Sequence, residues 1–145
     1  MVISNNKIEC NNCGWIGDDI ELSLRNNEIF VFGSNESGIH GGGAARTAMK
    51  WGAIYGNPEG IQGKTYAIPT KSKNIERTLD IDEIKPYVDR FVTYALHNPN
   101  LIFLVTEIGC GLAGLEPKDV APLFNDCIGI DNVYLPKRFL GVING

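Results

Sequence analysis

Two stretches of the chain bring together residues able to do chemistry. Residues 33–45 read Gly33-Ser34-Asn35-Glu36-Ser37-Gly38-Ile39-His40-Gly41-Gly42-Gly43-Ala44-Ala45, and residues 106–115 read Thr106-Glu107-Ile108-Gly109-Cys110-Gly111-Leu112-Ala113-Gly114-Leu115. The first holds five glycines in the eleven positions 33–43. That composition is unfavourable in chain entropy, and it suits a backbone that must turn left-handed or lie close to something. Three successive glycines at the head of a helix leave amide N–H groups beside the positive end of the helix dipole, an arrangement suited to a pyrophosphate. A turn that only packs helix on strand uses glycine as well. The second loop, with Gly109, Gly111 and Gly114 among small apolar residues, favours a ligand, because two such loops on adjacent strands would clamp a diphosphate from both sides.

Neither loop is a P-loop, since no Gly-Lys-Ser/Thr follows the first glycine, and Gly38-x-x-Gly41 lacks the dinucleotide spacing. His40, beside the glycines, is a candidate acid/base or phosphate donor. Glu107 and Glu116 are the carboxylates flanking the second loop, and Lys50 follows the first. Cys10-Asn11-Asn12-Cys13-Gly14-Trp15 resembles half of a zinc ribbon. A structural zinc takes four ligands and no second Cys-x-x-Cys exists, so no metal site and no cofactor are assigned.

These residues need elements to position them. Ile29-Phe30-Val31-Phe32 is a short apolar run ended by Gly33 and reads as a buried strand. Gly41–Gly43 open a helical segment with Ala44, Ala45, Ala48 and Met49, stopped by Gly52. Thr65-Tyr66-Ala67-Ile68 reads as a strand ending at Pro69, followed by a polar, basic loop from Lys71 to Thr78, a solvated surface loop or a flap over the ligand. Ile81, Ile84, Val88, Phe91, Val92, Ala95 and Leu96 form a helical stripe. Asp80 or Asp82 would cap it, and Pro86 would sit near its first turn. Leu101 to Val105 is the most apolar strand. Pro117 starts a helix with Val120, Ala121 and Phe124 that ends near Gly129, and Asn132 to Leu135 is a last short strand before Pro136. Alternation of this kind predicts an α/β fold of three layers (α/β/α), a mostly parallel central sheet flanked by helices. In open parallel sheets ligands bind outside the carboxyl ends of the strands, where both glycine loops fall.

The chain of 145 residues is long enough for one domain with a sizeable core. Residues 1–25, polar and Asn-rich, read as an N-terminal extension carrying the single Cys-x-x-Cys knuckle, and residues 26–145 as the α/β domain. A net charge of −4 gives no strong nucleic-acid signal. The start, Met1-Val2-Ile3-Ser4, has no charged region followed by an apolar stretch, and the longest apolar runs are too short for a bilayer. The expectation is a cytoplasmic protein with no membrane partner, in a reducing compartment.

On these residues the chain resembles the macrodomain family. Macrodomains run a strand into an Asn-containing turn and a Gly-Gly-Gly helix start, here Ile29–Phe32, Asn35 and Gly41–Ala45. They carry a later loop close to Ile-Gly-x-Gly-Leu-x-Gly, here Ile108–Gly114. The second loop is most similar to the terminal-ADP-ribose glycohydrolase branch, of bacterial or phage type. The resemblance spans about residues 28–140. It implies binding of ADP-ribose or a related NAD-derived nucleotide, free or on an ADP-ribosylated macromolecule. Asn35 would bond the distal ribose, Gly41, Gly42 and Gly43 would face that ribose and the diphosphate, and Ile108, Gly109, Cys110, Gly111, Leu112, Ala113 and Gly114 would wrap the diphosphate. Asp18, in Gly17-Asp18, is the candidate adenine reader or else an exposed loop residue. Phe139 is the candidate aromatic bordering adenine or proximal ribose, or else a core or surface side chain. Two departures concern catalysis. Positions where relatives place an aspartate are Ala44, Ala45 and Ala113, and Lys50 stands as the candidate for the branch's lysine or else as a solvated helix-end lysine. With Lys50, His40 and Glu107 as candidate catalytic residues, ADP-ribosyl hydrolysis and capture without turnover both remain open.

Overall fold

The computed structural model describes residues 24–145. Among the described residues five strands form one sheet in the order β2-β3-β1-β4-β5. Strand β1 spans Glu28–Asn35, β2 Gly60–Gln62, β3 Thr65–Lys71, β4 Ile102–Val105 and β5 Val133–Tyr134. β1 pairs in parallel with β3 and β4, β4 pairs in parallel with β5, and only β2 runs antiparallel, against β3. The described residues also form four α-helices: α1 at Gly43–Ala48, α2 at Ile81–Leu96, α3 at Pro117–Val120 and α4 at Lys137–Asn144.

The apolar run that marks β1 is buried on both faces. Side chains alternate across a strand, so Ile29 and Val31 enter one core with α2 and α4 (Ile84, Val88, Phe91, Phe139), while Phe30 and Phe32 enter a second with Ala45 and Ala48 of α1. Each such side chain, fully buried, stabilises the fold by about 1.5–3 kcal/mol. The sheet thus carries helices on both sides, the α/β architecture that the alternation predicts. α2 buries the predicted stripe. Asp80 is its N-cap, and the Asp80 N–H donates to Glu83 Oε1 at 2.9 Å. Among the described residues, no helix is long and apolar enough to cross a membrane.

Several boundaries differ from the sequence reading. β3 does not end at Pro69 but continues to Lys71. The outer neighbour β2 pairs only with Thr65–Ala67, so a proline beyond it removes no ladder bond on that side. Pro86 sits in the second turn of α2 rather than the first. The helix begun by Pro117 stays α-helical only to Val120 and tightens into a 3₁₀ turn over Ala121–Cys127; Pro122 has no N–H to extend the α ladder. The segment after β5 forms α4, which the sequence reading lacks, as it lacks β2. Of the predicted N-terminal extension, Cys10, Cys13 and Asp18 lie outside the described residues. Leu24 packs on the second core, and its carbonyl accepts from Lys64 Nζ at 3.2 Å.

Candidate functional site

Parallel pairing brings the carboxyl ends of β3, β1 and β4 side by side, and the chain leaves each as a loop on the same edge of the sheet. Asn35 is paired with Lys71, and the register shifts between Ser34 and Asn35. An irregularity of this kind re-aims the side chains beside it. Between the loops lies a cleft of about 560 Å³, within the range of small-molecule sites. The first glycine loop gives it Asn35, Ile39 and Gly41–Ala45; the second gives Glu107, Gly111, Leu112 and Ala113; β3 and the following loop add Thr70, Lys71 and Ile75.

The backbone here is shaped for close approach. Gly42 is the N-cap of α1 in extended geometry and offers no side-chain cap. The first intrahelical bond runs from Arg46 N–H to Gly42 O at 3.3 Å, and the N–H groups of the first turn have no intrahelical acceptor. In the second loop Gly109 has φ +78°, and a Cβ there would sit 3.0 Å from Leu115 Cδ1. The loop is fixed by Cys110 N–H to Glu107 O (3.0 Å), Gly114 N–H to Gly111 O (3.0 Å) and Leu115 N–H to Gly109 O (2.8 Å). The Leu112 side chain, 76% exposed, reaches back over the first loop to within 3.2 Å of where a Gly42 Cβ would stand.

The Asn35 carboxamide holds its own loop. Its Oδ1 accepts from Ser37 N–H (3.1 Å) and Ile39 N–H (2.9 Å), and its Nδ2 donates to Ile39 O (2.8 Å). Thr106 and Thr70, both buried, donate to Val31 O at 2.7 Å and Ser34 O at 3.2 Å. Glu107 reaches the cleft, but its carboxylate accepts both arms of the Arg138 guanidinium at 2.6 and 2.7 Å, the strong bidentate geometry. Arg138 is held above its ordinary value by that pair.

The structure therefore brings together Asn35, Gly41, Gly42, Gly43, Glu107, Gly111, Leu112 and Ala113 of the predicted site; Ile108, Gly109, Cys110, Gly114, His40, Lys50 and Phe139 do not line the cleft. Ile108 is buried in the larger core. Gly109, Cys110 and Gly114 shape the second loop without lining the cleft. The Cys110 Sγ–H donates to Ile108 O at 3.6 Å, and burial, with the Glu107 charge, pushes its thiol up to about 11. His40 is buried behind the loop with its ring against Phe32 and Tyr55 and its Nε2 3.2 Å from Asn57 O, so it does not face the cleft. Lys50 is exposed on a 3₁₀ turn, Met49–Trp51, away from the cleft. Phe139 is a core residue of α4, fully buried with its ring 5.6 Å from Phe124, because the chain after β5 folds back as a helix against the Ala121–Cys127 turn. It does not line the cleft.

Among the described residues the lysine lining the cleft is Lys71. Among the described residues it makes no ion pair. Its signal lay in β3: once the strand runs through Pro69, Lys71 falls at a strand end beside Asn35. Ile75 was also missed. It and Asn74 are left-handed, with φ of 58° and 59°. Asparagine tolerates that region, whereas a β-branched residue is an outlier there, at a cost of about 1–2 kcal/mol. Among the described residues no cluster of His, Cys, Asp or Glu is arranged to hold a metal.

Among the described residues, glycine backbone and Lys71 line the cleft, and the carboxylate that lines it, Glu107, is already ion-paired. Comparison with family models, with curated proteins and with solved structures returned no match.

Proposed function

We propose that the cleft binds ADP-ribose or a related NAD-derived nucleotide, with the diphosphate between the two glycine loops and Lys71 as its counter-charge. One observation carries this reading: two glycine loops on adjacent parallel strands line a single cleft of about 560 Å³. The fold rule for parallel sheets puts ligands at that edge. The resemblance of both loops to macrodomain motifs supplies the ligand class.

Capture without turnover is the reading favoured over hydrolysis of an ADP-ribosyl linkage. Activating a water requires a base within hydrogen-bond reach. Among the described residues Glu107 is the one carboxylate lining the cleft, and Arg138 occupies it. The positions of interest at Ala44, Ala45 and Ala113 carry no acid.

Calorimetric titration of the full chain with ADP-ribose, with AMP and NAD alongside, tests the proposal. Micromolar binding of ADP-ribose in preference to AMP supports a site for the whole diphosphate. No binding to any of the three refutes it. Incubation with ADP-ribosylated protein and nucleic acid, followed by detection of released ADP-ribose, separates the two readings: release reinstates hydrolysis.

A further inference from the structure

Of the large aliphatic side chains lining the cleft, three stand outside both apolar cores. Ile39, Ile75 and Leu112 belong to neither cluster, yet each lines the cleft. They come from three separate loops: the first glycine loop, the segment after β3, and the second glycine loop. Ile75 is 37% exposed and Leu112 76% exposed. Scattered surface aliphatics need no explanation, but these three line one cleft, the setting in which exposed apolar side chains mark a contact surface.

The segment carrying Ile75 is built to hold it there. Lys71 and Thr78 form an antiparallel bridge at its base. Ser72 N–H donates to Arg77 O at 2.9 Å, and Arg77 N–H donates back to Ser72 Oγ at 3.0 Å. Arg77 is held in turn by both oxygens of Glu83, at 2.7 and 2.8 Å. The strap is tied to both glycine loops: Asn74 N–H donates to Ser37 Oγ at 2.8 Å, and Thr78 Oγ1 donates to Ala113 O at 2.7 Å. At its tip the backbone is left-handed at Ile75, a conformation unfavourable for that residue type. The strain gains no core burial in return. Strained positions held by surrounding bonds concentrate at ligand clamps.

We infer that Ile75, with Ile39 and Leu112, forms an apolar collar that grips an uncharged ring face of the ligand, so that the cleft selects nucleotides over simple phosphate compounds. This rests on the nucleotide reading above. The charged part of the ligand lies on the glycine loops and Lys71, and the collar takes a base or sugar ring. Ile75 is a specificity-determining contact, delivered by the strap.

The test compares wild type with Ile75→Ala and Ile75→Asn by calorimetry, using ADP-ribose and inorganic pyrophosphate as separate probes. The Asn variant tolerates the left-handed turn, so it removes the aliphatic contact without adding strain, and it serves if the Ala variant folds poorly. The expected result is at least a tenfold weaker Kd for ADP-ribose in both variants and less than a twofold change for pyrophosphate. ADP-ribose affinity within twofold of wild type in both variants overturns the collar and leaves the nucleotide reading intact. Equal weakening of both probes also overturns it, since Ile75 would then act only on the shape of the loops. Failure of wild type to bind ADP-ribose overturns the nucleotide reading, and the collar with it.

Discussion

Replacing Gly42 with valine separates the fold from the site. Gly42 has φ −156° and ψ 168°, extended backbone that a β-branched residue adopts readily. The added Cβ meets one heavy atom, Leu112 Cδ1 at 3.2 Å. That atom ends an exposed, flexible side chain, so a shift of a few tenths of an ångström relieves the contact. Two terms in stability nearly cancel. Losing glycine at an N-cap costs up to about 1 kcal/mol. Restricting the unfolded chain returns about 0.4–1 kcal/mol. The melting temperature should stay within about 4 °C of wild type, the shift for roughly 1 kcal/mol in a domain of this size. Binding should change far more, because the isopropyl group would stand where the proposed pyrophosphate meets bare backbone. At least a tenfold loss of ADP-ribose affinity is expected, about 1.4 kcal/mol. A thermal-shift series gives both numbers together. At a ligand concentration near 100 Kd, wild type gains about 2.7 kcal/mol of stability, and the variant at the same concentration gains at least about 1 kcal/mol less. A variant that melts like wild type and is stabilised equally by ADP-ribose would refute the diphosphate placement.

Phe139→Ala should cost about 3–5 kcal/mol in a denaturant titration, as expected for a fully buried phenylalanine, while the molecules that stay folded keep wild-type ADP-ribose affinity. Glu83 is held down to about 2 by Arg77 and the Asp80 N–H. A carboxyl lowered on folding contributes stability that is present above its unfolded value near 4.5 and is lost as pH falls toward 2; Glu83→Gln should therefore flatten the acid side of the stability curve over that window, read by denaturant midpoints at each pH. Cys110, with its thiol pushed up to about 11, should alkylate slowly at pH 7.5 and faster as pH climbs toward that value, which peptide mapping after iodoacetamide treatment would follow. A Cys110 peptide labelled as fast as free cysteine at pH 7.5 would contradict the buried setting.

The elements legible in the sequence are those with one dominant local signal. Ile29–Phe32 announces β1 because both faces of that strand are buried, and the α2 stripe is visible because only one face is. The two glycine loops follow from composition, and their meeting at one cleft follows from parallel pairing. What local reading misses is set by neighbours. Pro69 halts a strand only where a partner needs its N–H, and β2 does not reach that far. The three residues of β2 carry no pattern of their own; they exist because β3 has a free edge. Phe139 is an aromatic near the site in sequence and a core residue in space, since the direction taken after β5 depends on packing against Phe124. Lys50 follows the first glycine loop closely along the chain and Lys71 lies far from both loops, yet β3 pairing with β1 brings Lys71, and not Lys50, into the cleft.

The position of β1 also has a consequence for how the chain reaches this state. It is the middle strand, and both partners lie later in sequence: Phe30 pairs with Thr65, and Glu28 with Ile102. Synthesis at about 5–20 residues per second separates Asn35 from Val105 by roughly 4–14 s. For that time Ile29–Phe32 is a four-residue apolar segment with at least one unpaired edge. Pairings this distant also slow the search for the native state, because loop closure must precede any reward in contacts. The glycine loop that follows β1 is thus translated early and shaped late. The cleft cannot exist until β4 has docked, so a ligand held there as proposed would report that β3, β1 and β4 have assembled.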